Sequence, residues 1–353
     1  MDKRQLAQTI KGGVELPILS EVDFSGQDYQ GIDVSGGIFS KVNFSQANLS
    51  GAYLKECTFV DCDFSGACLD KADLTLASFI NPVFNKARFH QTIFNYSSFI
   101  DGQFVDADMR GASMANTSFI SPDMHDICMA DTQLENTNFI NAILVNADFS
   151  GSEQYRSNYL EPELAGIKFS AAVLDKAFFS KPDFSAYDFS DVTLIMCQFN
   201  HAILSQANFA GLDVSQCGFM DADLTQADFS RAIANNCIFI NAQASGVKFN
   251  NAELKQALFN GANTSLCDFS HAKLEQAQFT NANCEASLFT GADLTYVDFS
   301  HANLDNALID KAELYRANLH EIKQEGSVWE GSNKASALPT DEKKAKAEKF
   351  VVQ

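Results

Sequence analysis

The chain has 353 residues, 46% apolar and 20% charged, which is enough apolar material for a core and too regular a balance for a disordered polymer. Its formal net charge of −20 argues against direct binding to nucleic acid or to an anionic membrane surface. Nine cysteines, an odd number without the spacing of a compact disulfide framework, point to a reducing compartment.

In chain order, the first residues, MDKRQLAQTIKGG, lack the apolar stretch of a secretory signal. A cytoplasmic location is therefore expected, with signal-less export left open, and no apolar run reaches the ~18 residues of a membrane span. Residues 2–10 pattern as a short amphipathic helix with Leu6 and Ile10 on one side. Residues 1–20 are expected to cap the repetitive segment that begins after them, with Val14 and Leu19 already in its register.

From Phe24 to Leu319 every fifth residue is large and apolar, giving 60 consecutive units without an insertion or deletion. Gln154, Ala234, Ala244, Thr264 and Cys284 are the exceptions, and 29 of the 31 Phe lie on this register. Two residues earlier the chain is usually small, so a unit reads Ala-Asp/Asn-Leu/Phe, as in Ala47-Asn48-Leu49 and Ala227-Asp228-Phe229. A period of five suits neither a helix nor a strand; it suits a chain that turns a corner in every unit.

Identity also recurs every 20 residues. Positions 39, 59, 79 and onward to 319 are Phe except Tyr159 and Leu319, while 54, 74, 134, 174 and 194 are Leu. Four units thus make one square coil. About 15 coils at a strand spacing of about 4.8 Å would give a rod about 70 Å long with a dry, filled interior. The pattern resembles the pentapeptide-repeat protein family over about residues 22–320. The resemblance implies an all-β, right-handed quadrilateral β-helix whose central residue, and the small one two before it, point inward.

Two irregularities stand out. Residues 150–167 place Gln154 in a central slot and are expected to bulge or widen the coil. Pro82, Pro122, Pro162 and Pro182 share one face and, lacking an N–H, are expected to disturb pairing there. After Leu319 the register fades. Residues 321–353 read as a tail, with a linker at 330–339 and a charged helix at 340–351 capped by Thr340 or Asp341. A homodimer formed through an end of the solenoid is left open.

No nucleotide-binding, zinc-protease or serine-hydrolase motif occurs, so no enzyme, cofactor or metal is expected. Each of the six His reads as a solvated surface residue. Cys57, Cys62, Cys197, Cys217, Cys237 and Cys267 fill small inward slots and Cys284 a central one, as buried apolar residues do. Function therefore falls to the outside.

Residues 24–319 hold 35 acids and 16 bases. Some members of the family that this chain resembles mimic DNA and bind type II topoisomerases. One outward row is aliphatic: Val60, Ile80, Ile100, Ile120, Ile140 and Leu160, flanked by Val83, Val105, Ile143 and Val145. Such a stripe reads as a partner-binding surface. The chain is thus expected to be a non-enzymatic protein-protein interaction scaffold whose partner is a protein, with a topoisomerase-binding DNA mimic as the alternative. The stretch LAQTIKGGVELPILSEVDFSGQDYQGIDVSG resembles the opening of pentapeptide proteins associated with bacterial type VI secretion. That resemblance implies an accessory or effector-handling role.

Overall fold

The structure, a computed structural model, describes residues 2–11 and 18–350. Val14 lies outside the described residues. The chain forms two compact units, Met1–Pro182 and Asp183–Gln353.

The corner explains the five-residue motif. Two residues after nearly every centre the backbone is left-handed, as at Gln46 (φ 58°), Gly51 (φ 64°) and Glu56 (φ 58°). The next N–H then donates back to the centre's carbonyl, Ala47 to Phe44 and Ala52 to Leu49, both at 3.0 Å, which closes a type II turn. The Asp or Asn before the centre accepts the N–H of the residue after it. Ser45 donates to Asn43 Oδ1 at 2.9 Å and Ser65 to Asp63 Oδ1 at 2.8 Å. The remaining backbone groups join neighbouring coils, as where Phe44 N–H donates to the Asp63 carbonyl at 2.6 Å.

Each coil has four faces, identified by the centres they carry: first (39, 59, 79), second (44, 64, 84), third (49, 69, 89) and fourth (54, 74, 94). In Met1–Pro182 the first face is a sheet of nine three-residue parallel strands, from Ile18–Ser20 to Phe178–Ser180, each offset from the next by twenty residues. The fourth face adds strands Ser113–Ala115, Gln133–Glu135, Glu153–Tyr155 and Val173–Asp175. Paired strands therefore account for about nine turns, fewer than the 15 coils expected. Apart from one further three-residue strand, Thr193–Ile195, the remaining sides contribute a single bridged residue between two corners. The same register then runs from Asp23↔Asn43 to Asp148↔Lys168 in this unit, and from Asp183↔Ile203 to Asn318↔Leu338 in the other.

The strands also correct the expectation for the prolines. At the corners after Ile38–Ser40, Thr58–Val60, Ser98–Ile100 and Asn138–Ile140 the turn hydrogen bond is missing, so the small inward slot there needs no N–H. All four prolines stand in the same slot after other first-face strands. Pairing continues past Pro82 and Pro122, with Gln103 N–H donating to the Pro82 carbonyl at 2.9 Å and Ile143 N–H to that of Pro122 at 3.0 Å.

The interior is stacked side chains. On the first face Phe59, Phe79 and Phe99 lie nearly parallel with centres 4.7 Å apart. Phe64, Phe84 and Phe104 stack on the second at 4.8 and 5.1 Å and meet the first set edge-on. In Asp183–Gln353 the first-face Phe ladder instead meets a third-face ladder, Phe209 through Phe289, edge-on. On three successive coils, between Leu224 and Leu304, the second face shrinks to Ala244, Thr264 and Cys284, all fully buried. The small centres offset the volume of the Phe moved to the third face.

The bulge expected at residues 150–167 is absent from the described backbone. Gln154 pairs in register with Leu134 and Leu174 and is 2% exposed. Its Nε2 donates to Ser152 Oγ at 3.1 Å and its Oε1 accepts from Tyr159 OH at 2.9 Å. The amide is satisfied from within, so no distortion is needed to reach water.

At the ends, helix α1 (Lys3–Lys11) buries Leu6 and Ile10 and is tied to the coils by the Lys11–Asp33 ion pair. Past Leu319 the bridges continue through Asn303↔Lys323, Leu308↔Val328 and Asn318↔Leu338, so residues 321–338 extend the coil where a linker was expected. Backbone bridges persist there although the side chains no longer follow the apolar pattern. A short 3-10 turn (Lys334–Ser336) precedes helix α2 (Glu342–Glu348), whose N-cap Asp341 accepts from the N–H of Lys343 and Lys344.

Candidate interaction surface

Val60, Ile80, Ile100, Ile120, Ile140 and Leu160 each end a first-face strand. They stack in direct register, Val60 on Ile80, Ile80 on Ile100, Ile100 on Ile120, Ile120 on Ile140 and Ile140 on Leu160. Each is half-buried by its neighbours, and Ile80 is the most open at 36%. Beside them runs a polar row, Thr58, Ser78, Ser98, Ser118, Asn138 and Asn158, with Asn158 Nδ2 donating to Asn138 Oδ1 at 2.8 Å. The row ends where Leu160 meets Ser180.

The flanking residues do not join it as one patch. Val83 and Ile143 stand in a second-face row separated by Gln103 and Asp123, since the bridges run Val83↔Gln103, Gln103↔Asp123 and Asp123↔Ile143. Val105 and Val145 occupy another row of that face, with His125 between them. All four are half-buried.

Sequence reasoning missed a more exposed set in the same unit. Tyr53 (51%), Leu76 (53%), Ile93 (37%) and Tyr96 (58%) project from the fourth face and its corner. The signal was available: large apolar residues stand where Asp, Asn, Gly or Lys is usual. Further along that face lies an open groove of about 640 Å³ lined by Ser113, Gln133, Glu135, Glu153, Tyr155 and Asp175, among others. Arg156 and Lys176 stand 4.9 and 5.0 Å from the Tyr155 ring centre. The acids of its lining are Glu135, Glu153 and Asp175.

The nine cysteines are thiols outside any disulfide, and seven are buried. Burial pushes the Cys57 thiol up to about 12 and Cys62 up to about 11, so neither ionises near neutrality. The inward Cys57, Cys237 and Cys267 thiols donate to carbonyls of the coil below at 3.1, 2.9 and 2.8 Å. Thr92 and Thr117 hydroxyls do the same at 2.7 Å, which is why Cys, Ser and Thr can replace Ala in that slot.

The sequence reading of every histidine as solvated needs correction. His90 Nε2 is 2.8 Å from Asp108, which its Arg110 and His90 partners hold well below the usual carboxylate range against the opposing effect of burial. His320 is only 2% exposed.

The geometry defines a parallel β-solenoid of five-residue units with a filled interior and a patterned outer surface. Residues 18–55, 38–75, 72–111, 123–153, 217–256, 248–283 and 287–323 match the pentapeptide repeats pattern, which covers well over half of the chain. The chain belongs to the pentapeptide-repeat family.

Solved structures similar to it include HetL, a pentapeptide repeat protein involved in heterocyst differentiation regulation from the cyanobacterium Nostoc sp. It is 20% identical over 70% of this chain and 91% of its own, with a TM-score of 0.26. QnrB1, a plasmid-mediated fluoroquinolone resistance protein, is 16% identical over 57% of this chain and 92% of its own, at 0.30. A pentapeptide repeat protein of the Arabidopsis thaliana thylakoid lumen is 24% identical over 39% and 74%, at 0.14. Likeness at this level concerns the fold alone. No curated protein sequence matches the chain. Among the described residues no helix is long and apolar enough to cross a membrane.

Proposed function

We propose that the protein is a non-catalytic scaffold that holds a protein partner on the aliphatic row from Val60 to Leu160. The observation that carries this reading is the row itself: six successive coils repeat one outward aliphatic position on one parallel sheet, beside a row of hydroxyls and amides. Apolar contact supplies the affinity and the polar row sets orientation. A partner of matching chemistry presents apolar side chains flanked by hydrogen-bonding groups. An accessory or effector-handling role in a bacterial secretion system is the narrower form of this reading, supported by the N-terminal stretch.

The test is capture of partners from the native host by the wild-type chain and by the Ile100→Asp, Ile120→Asp double variant. The wild type should retain a partner at high salt and the variant should lose it, while keeping its circular dichroism. Equal capture by both removes the row as the binding surface.

A second reading, a DNA mimic that occupies a DNA-binding protein such as a type II topoisomerase, is favoured by the excess of 35 acids over 16 bases along residues 24–319. It predicts inhibition of gyrase supercoiling that weakens as salt rises. The scaffold reading predicts neither.

A further inference from the structure

His320 lies nineteen positions after His301, yet the coil brings them together: His301 N–H donates to the His320 carbonyl at 2.9 Å, and the rings meet edge-on at 5.3 Å. Glu348, on the last residue of α2, inserts one carboxylate oxygen between them. Its Oε2 lies 3.1 Å from His320 Nε2 and 3.3 Å from His301 Nε2. The three ligand atoms all lie within 4.8 Å of one another. The His320 side chain is 2% exposed and forms the buried wall, while His301 and Glu348, at 34% and 35%, leave one side open to entry.

Zinc binds imidazole nitrogen and carboxylate oxygen at about 2.0–2.2 Å in tetrahedral geometry, which sets neighbouring ligand atoms about 3.3 Å apart. Both nitrogen–oxygen edges match that spacing. Imidazole with a carboxylate suits zinc, cobalt or nickel, and not the all-oxygen preference of magnesium or calcium. We propose that His301, His320 and Glu348 form a binding site for a divalent cation of the zinc class, which fastens helix α2 to the terminal coils. A fourth position stays open to solvent.

One neighbour has to respond. A metal on Nε2 puts the His320 proton on Nδ1, where Asp341 N–H now donates at 3.1 Å. Asp341 must then turn its carboxylate to the ring in place of its N–H. That exchange creates the carboxylate–histidine–metal relay that fixes ligand orientation. It also takes the carboxylate from the Lys343 and Lys344 N–H groups it now caps. Metal binding thus fixes the last turn of α2 and loosens the first.

The experiment is cobalt titration of the full chain after chelator treatment, followed by zinc displacement. One cobalt per chain should bind with the visible absorption of four- or five-coordinate cobalt, and zinc should abolish it. His301→Ala and Glu348→Gln, both at exposed positions, should each weaken binding by about tenfold or more with unchanged circular dichroism. Absent cobalt absorption, or equal absorption in Glu348→Gln, overturns the site. Amide exchange then tests the clasp: zinc at ten times its dissociation constant should slow exchange in residues 345–348 by about tenfold. Unchanged exchange with zinc bound would refute the fastening role.

Discussion

Asp63 accepts both the N–H of Ser65, at 2.8 Å, and its hydroxyl, at 2.6 Å; the same pair of bonds recurs at Asp183 with Ser185 and at Asp223 with Thr225. These bonds turn a composition bias into a corner. Asp63→Ala should therefore cost about 1 kcal/mol in denaturant unfolding, and Asp63→Asn much less, because Asn43 does the same work with its amide oxygen. At Asp23 and Asp188, bonds from the N–H and then the hydroxyl of Ser25 and Ser190 hold the carboxyl below its usual value. Groups lowered by folding add stability that is complete above their unfolded pKa and lost as pH falls through the folded one. Thermal midpoints should accordingly drop on acidification below about pH 4, where unfolded carboxyls begin to protonate. A midpoint that holds or rises by pH 3 would mean that relief of charge repulsion outweighs these bonds. Thiol burial makes a separate prediction. In the native protein a thiol reagent should modify at most Cys68 and Cys128, the two half-buried cysteines, and all nine after unfolding.

The ladder is the element that turns five-residue units into a solid. Phe99 stacks 4.7 Å from Phe79 and 4.9 Å from Phe119, fully buried. Phe99→Ala should cost about 3–5 kcal/mol, because neither neighbour can collapse into the gap without leaving its own stack. Gln154 inverts the usual expectation for a core. Leucine stands above and below it in register, yet Gln154→Leu should destabilise by about 1–3 kcal/mol, since Tyr159 OH loses its acceptor in a dry interior. Adding Tyr159→Phe should recover most of that loss in a double-mutant cycle. The period of the ladder was plain in the sequence, because inward residues repeat whatever the corners do. The kind of corner was not, because it is decided by a backbone hydrogen bond; the harmlessness of Pro82 and Pro122 could be seen only once that bond was mapped. Gln154 misled for a related reason. Its partners, Ser152 and Tyr159, are ordinary residues of the repeat until they are placed around it.

For the whole molecule, the net charge of −20 sets the response to salt. Ion pairs such as Lys181–Glu161 and Lys273–Glu253 are largely exposed, and each adds little. Self-repulsion among the acids should dominate, so raising ionic strength from low to physiological should raise the thermal midpoint. A midpoint that falls with salt would assign the larger share to the ion pairs. The aliphatic row from Val60 to Leu160 was legible at the same level as the fold, since outward positions share its period. The convergence of His301, His320 and Glu348 was not, because Glu348 lies beyond the repeat and its place depends on how the tail folds back. The twenty-residue register has a consequence of another kind. Excising residues 243–262 would join Ala242 to Asn263, the residue one coil on from Gln243, so the twenty-residue register would be kept across the junction. The solenoid can thus change by whole coils without redesign, so duplication and loss of twenty-residue blocks give such a gene a route to new lengths that few folds allow.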